Sequence, residues 1–218
     1  MGQRKIPEIL TEEEQKKMLD VFNTRYLSPH RNRTMIKLML RTGLRLSEVI
    51  NLRWKDIDLQ SGKIKVVQGK GAKDRILWLN NGTLDQLRGW KQRQTKEIGR
   101  MEYVFTTSTG SQLKDRDVRD MVYRYADKAG IQEEVIKHYR DKEGNKLEET
   151  YKERKVTPHT FRHTFATELL RETNNLRLVQ KALGHSDIST TQIYTHIVDP
   201  ELEKAMKSFK NDIEGVKL

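Results

Sequence analysis

The chain has 218 residues, enough for one large domain or two small ones around a buried core, and its 42 Lys and Arg against 31 Asp and Glu give a net charge of +11. That excess favours a polyanionic partner through counterion release and long-range attraction, although charge alone tips the balance towards nucleic acid only slightly. The absence of cysteine excludes a disulfide framework, a Cys-based zinc site and a thiol nucleophile, and with no apolar run near the ~20 residues that span a bilayer and no apolar signal core after Met1-Gly2-Gln3-Arg4-Lys5, the expected compartment is the cytoplasm and its nucleoid.

Thr11-Glu12-Glu13-Glu14 is a capping box and predicts a helix through about Phe22. Met35, Ile36, Leu38, Met39 and Leu40 mark a second, largely buried helix that Thr42-Gly43 stops, and Ser47 is the expected cap of a short third helix holding Glu48, Val49, Ile50 and Leu52. The period then shortens. Ile57 and Leu59, then Ile64, Val66 and Val67, then Ile76, Leu77 and Leu79 predict three strands separated by Ser61-Gly62 and Gly69-Lys70-Gly71 and closed by Asn80-Asn81-Gly82. Helices follow at 83–98 and 115–129, the second with Asp115 as its expected cap. Residues 131–155 carry seven basic and seven acidic residues, a neutral segment that reads as a solvated hairpin or a loop. Helices resume at 158–172, 175–183 and 189–194, and Asp199-Pro200 starts a last one with Leu202, Met206, Phe209 and Ile213 on one stripe. The expected fold is mainly α with a small three-stranded antiparallel sheet (α+β).

Four segments carry groups suited to chemistry, and each has a plain structural explanation when taken alone. Arg45 at the mouth of a short helix with Glu48 one turn on suggests a guanidinium held by a carboxylate; the planar fork binds two phosphate oxygens and keeps its charge. An exposed ion pair explains it equally well. Lys70 stands on a glycine-flanked turn in a stretch, 63–75, with five basic residues and one acidic one. It lacks the spacing of a nucleotide-binding phosphate loop. His159 and Arg162 share one face at the N-terminal end of a helix, where the backbone favours anions. His185 follows Gly184, and Tyr194 lies nine residues further on; a lone tyrosine on a short helix is usually a packing residue. The ordered set is what carries weight. Two guanidiniums and imidazole donors stabilise a five-coordinate phosphorus, a lysine protonates a leaving oxygen, and a phenol attacks and holds a covalent intermediate. Such a set needs no metal or other cofactor.

The stretches TGLRLSEVINLRWKDID, GKGAKDR, TPHTFRHTFATELL and LGHSDISTTQIYTH, spanning Thr42 to His196, resemble the catalytic domain of the tyrosine recombinases, the family of Xer recombinases and phage or transposon integrases. The resemblance implies cleavage of a phosphodiester to a 3′-phosphotyrosyl bond and a free 5′-hydroxyl, then attack by the hydroxyl of a partner strand, without ATP. It implies Arg45 and Arg162 on the nonbridging oxygens, His185 as a further donor, and Lys70 as the general acid. His159 would accept the tyrosine proton or orient the phosphate, and Tyr194 would be the nucleophile. Glu48 takes a supporting place, Lys73 and Arg75 contact DNA, and His163 and His196 are given no catalytic role. The implied partner is double-stranded DNA carrying specific sites, bound by a homotetramer that is monomeric off DNA.

Residues 1–218 are expected to form the catalytic domain alone. The helical core-binding domain usual in the family, on the order of 100 residues, has no counterpart before Arg45 and is expected to be absent. Residues 131–155 exceed the usual connection and read as an insertion suited to a protein contact or a mobile flap more than to a phosphate clamp. The stripe on residues 199–218 needs a cover, either on its own domain or exchanged onto a neighbouring protomer. A type IB topoisomerase and a noncatalytic DNA-binding protein on the same scaffold are the rival readings. The second has no need of Tyr194.

Overall fold

The structure, a computed structural model, describes residues 7–67, 74–141, 145–184, 191 and 194. Its first helix, α1 (Glu12–Asp20), begins at the predicted capping box: the Thr11 hydroxyl accepts from the Glu14 N–H and the Glu14 carboxylate accepts from the Thr11 N–H. The centre of the domain is α2 (Leu27–Thr42), longer at its front than the apolar cluster predicts. Met35, Ile36, Leu38, Met39 and Leu40 are all buried, because α1, α4 (Asn81–Glu97) and α6 (Pro158–Thr173) pack around it. Gly43 ends α2 in the left-handed conformation, donating its N–H to the Met39 carbonyl. A Cβ at Gly43 would collide with the Phe165 ring, so glycine is required there by both conformation and space.

The short helix α3 (Leu46–Ile50) departs from expectation at its cap. Arg45, not Ser47, is the cap residue, and Glu48 closes the turn by accepting from the Arg45 N–H. Ser47 lies inside the helix. The three strands form as predicted: β1 (Ile57–Asp58), β2 (Lys63–Val66) and β3 (Arg75–Trp78) make one antiparallel sheet in that order. Ile64 faces Leu77, and Val66 faces Arg75. Alternation puts Ile57, Ile64, Val66, Arg75 and Leu77 on the core side, and Lys63, Lys65, Ile76 and Trp78 outward.

Helix α5 (Asp115–Lys128) is capped by Lys114, so Asp115 sits in the first turn, where it complements the helix dipole and pairs with Arg119. The neutral segment that follows is a hairpin, β4 (Glu134–Arg140) with β5 (Lys146–Arg154). Its root is fixed. Gln132 exchanges two hydrogen bonds with the Val156 backbone, and Lys155 bridges Glu14 of α1 and Glu133 at 2.8 and 2.9 Å. Beyond the root Ile136, Tyr139 and Leu147 are exposed.

Pro158 begins α6, as the sequence predicts, and Thr157 caps it. Asn174 and Asn175 then serve as the C-cap of α6 and the N-cap of α7 (Leu176–Leu183), which Gly184 ends. Two apolar clusters result. The larger joins α1–α5, the sheet and Phe161; the smaller gathers Ala166, Leu170, Val179, Leu183 and Tyr194, with Phe165 packed against it. The predicted helices at 189–194 and from Asp199 lie outside the described residues, Thr191 and Tyr194 apart. Among the described residues no helix is long and apolar enough to cross a membrane.

Candidate active site

The site is built where the ends of α2, α3, β3 and α7 meet the first two turns of α6. Arg45 reaches it as the cap of α3. Its Nη1 donates to Glu48 Oε1 at 3.1 Å, its backbone N–H donates to Glu48 Oε2 at 2.7 Å, and its side chain stays 38% exposed. Glu48 is buried, which by itself would raise its pKa. The hydrogen bonds and charge of Arg75, then those of Arg45, outweigh that burial and hold the carboxyl below its ordinary value. Arg75 lies on the inner face of the sheet with its side chain 6% exposed. Its fork grips both Glu48 oxygens at 2.8 Å and its Nε donates to the Ala182 carbonyl at 2.8 Å. Arg75 was expected on the DNA; strand register and burial put it behind Arg45 instead.

Arg162 is buried on α6. One fork nitrogen donates to the Gly43 carbonyl and the other to the Leu183 carbonyl at 2.8 Å. Arg75 and Arg162 therefore take consecutive carbonyls, Ala182 and Leu183, from the last turn of α7, where carbonyls lack intrahelical partners and cations are favoured. Burial, then the charge of Arg45, lowers the Arg162 pKa to about 10, so the group remains charged at neutral pH. His159 opens to solvent on the first turn of α6. Desolvation by its surroundings, then the charges of Arg119 and Arg162, hold its pKa below the ordinary value and keep the ring neutral at pH 7.

Tyr194 is 1% exposed and packs in the smaller cluster. Its hydroxyl sits 2.9 Å from His163 Nδ1, and the two rings are tilted by 51° with centroids 5.7 Å apart. Burial pushes the phenol up to about 12, against the pull of Arg162. Burial, then the charges of His159 and Arg162, pushes His163 down to about 4, so the ring is neutral. His163 is the residue the sequence reading passed over. Its spacing of four from His159 places both on one stripe of α6, and that was the available signal. Arg45, Glu48, His159, Arg162 and Tyr194 thus share one neighbourhood, with Arg75 and His163 behind them. Lys70, Lys73 and His185 lie outside the described residues.

A chain with two guanidiniums, a charged carboxylate and a tyrosine hydroxyl around one helix end has the makings of a phosphoryl-transfer protein. Its relatives agree with that class. The Phage integrase family matches residues 8–201, and the chain belongs to that family. It is 35% identical over 207 residues to the tyrosine recombinase XerA of Thermococcus kodakarensis, covering 95% of this chain and 64% of the relative's length. The crystal structure of XerA recombinase superposes with a TM-score of 0.73 at 30% identity, covering 95% of this chain and 67% of that one. The XerH site-specific recombinase bound to palindromic difH substrate, a post-cleavage complex, gives 0.71 at 30% identity, covering 95% of this chain and 54% of that one. The fold is that of a tyrosine recombinase catalytic domain, mainly α with small antiparallel sheets.

Proposed function

We propose that the chain is a tyrosine-type site-specific DNA recombinase that cleaves and rejoins strands of double-stranded DNA through a 3′-phosphotyrosyl intermediate. The observation that carries the reading is the convergence at α6: Arg162 and the hydroxyl partner of Tyr194 are consecutive residues, beside an Arg45 whose Nε and Nη2 are turned to no protein acceptor among the described residues. Arg45 and Arg162 bind the nonbridging oxygens and stabilise the charge gathered on the five-coordinate phosphorus. Tyr194 Oη attacks phosphorus, and His159 either accepts its proton or orients the phosphate while the proton leaves through the His163 contact. The 5′-oxygen leaves with a proton from Lys70, and His185 donates to the phosphate. The reverse step, with a 5′-hydroxyl from a second duplex, rejoins the strands and conserves bond energy.

The DNA-bound state is a homotetramer in which the apolar stripe of Leu202, Met206, Phe209 and Ile213 packs on a neighbouring protomer. Truncation after Asp199 then lowers assembly on DNA and alters cleavage; a truncated chain that behaves like the whole one argues for packing within the protomer.

The test is a pool of nicked duplexes of randomised sequence, each built so that the piece needed for religation diffuses away. The expected result is a covalent protein–DNA adduct that Tyr194→Phe abolishes. No adduct from the wild-type chain favours a pure binder, and one that survives Tyr194→Phe removes the nucleophile assignment. Relaxation of plasmid without recombinant product from two-site DNA favours a topoisomerase.

A further inference from the structure

We propose that Arg75 is a positioning residue of the cleavage site: clamped on Glu48, it fixes the Arg45 guanidinium and keeps the charge of Arg45 free for the scissile phosphate. The inference rests on the recombinase reading above.

Glu48 stands between two arginines. Its Oε1 accepts from Arg75 at 2.8 Å and from Arg45 at 3.1 Å; its Oε2 accepts from Arg75 at 2.8 Å and from the Arg45 backbone at 2.7 Å. A lone carboxylate beside Arg45 would orient it but would also neutralise it, leaving a pair of no net charge to face an anion. The second arginine changes the sum: the carboxylate's charge is met from the buried side, and one positive charge remains on the exposed side. Bidentate contact also fixes the carboxylate plane, which a single-point cation does not. That plane decides where Arg45 Nη1 sits.

Arg75 is itself held from a third direction by the Ala182 carbonyl, next to the Leu183 carbonyl that holds Arg162. The two phosphate-facing arginines are therefore referenced to the same turn of α7, Arg162 directly and Arg45 through Glu48 and Arg75. Arg75 is also the first residue of β3 after the segment that carries Lys70.

The substrate for the test is the sequence that the wild-type chain cleaves in the randomised pool, made once with an ordinary scissile phosphodiester and once with a methylphosphonate. The methylphosphonate is neutral before attack and carries one nonbridging oxygen fewer, so it asks less of the guanidiniums. Misplacing a reacting group by about an ångström costs on the order of a hundredfold in rate. Arg75→Gln is expected to slow adduct formation on the phosphodiester by about that factor with little change in DNA affinity, and to slow the methylphosphonate by only a few-fold. Equal losses on the two substrates, or no loss on either, overturn the proposal.

Should Arg75→Gln not fold, Arg75→Lys keeps a cation against Glu48 without the fork and is expected to show a smaller loss with the same discrimination. In an Arg45→Ala background Arg75→Lys should slow cleavage no further; additive losses also overturn it. A wild-type chain that forms no adduct removes the recombinase reading and this inference together. A wild-type adduct with equal losses in the variants removes the inference alone.

Discussion

Glu48 and His163 show how much of this site is set by groups that need never touch DNA. Removing Glu48 leaves Arg75 as a buried cation without its carboxylate, a loss of about 3–5 kcal/mol for a buried pair broken on one side; Glu48→Ala should lower the urea midpoint accordingly. For His163 the folded pKa of about 4 lies below the ordinary 6.5. Between those values the unfolded chain binds a proton that the folded chain refuses, so its contribution is complete above pH 6.5 and is lost as the pH falls towards 4. The stability difference between wild type and His163→Gln should therefore shrink over that window in urea titrations, and a difference independent of pH would contradict the assignment. The hold of Glu48 on Arg45 was legible in their spacing of three, whereas the roles of His163 and Arg75 were not. Arg75 sat in a run of basic residues at a hairpin and read as a DNA contact, yet it is in phase with Leu77 and Leu79, and period-two alternation was enough to turn it inward. Arg45, Arg162 and Tyr194 stand in stretches that the resemblance singles out; Arg75 also closes one of them, GKGAKDR, but the resemblance gave it a place on the DNA and no sign of its contact with Glu48.

At the scale of elements, the helix ends proved more legible than the caps that define them. Thr11 and Gly43 act as their sequence contexts predict, whereas α3 and α5 use Arg45 and Lys114, residue types with no intrinsic capping preference. At Arg45 the requirement of the site overrides propensity, because the cap position is what aims its guanidinium. Gly43 is the complementary case. Gly43→Ala forces a left-handed residue, which costs roughly 1–2 kcal/mol, and drives a methyl group into Phe165. It also disturbs the carbonyl that holds Arg162, so both the thermal midpoint and adduct formation should fall; a variant that loses neither would show that the loop can adjust. The β4–β5 hairpin is the opposite kind of element. Its strands contact chiefly each other, its charges balance, and its ties to the domain are concentrated at Gln132, Lys155 and Val156. Replacing 134–154 by a short glycine-serine turn should leave the melting temperature and the salt-dependent affinity for random duplex DNA largely intact. A collapse of that affinity would assign the hairpin to the phosphate backbone instead of to a protein surface. Its strands were hard to foresee because alternating charges on both faces give no apolar period.

Across the whole molecule, the division into two apolar clusters has a kinetic meaning. Tyr194, the nucleophile of the proposed reaction, is one of five buried members of the smaller cluster, and its hydroxyl faces His163. At 1% exposure it meets a phosphate only after its surroundings open. Opening uncovers apolar surface, and hydrating that surface carries a positive heat capacity. A reaction that begins by uncovering part of its own core inherits this property: its activation enthalpy grows with temperature, so the Eyring plot of adduct formation should steepen towards the warm end, opposite in sense to the curvature of a folding limb. Cooling then slows the chemistry less than a single barrier would imply. A straight plot across the range where the protein stays folded would mean that the tyrosine escapes without exposing its neighbours.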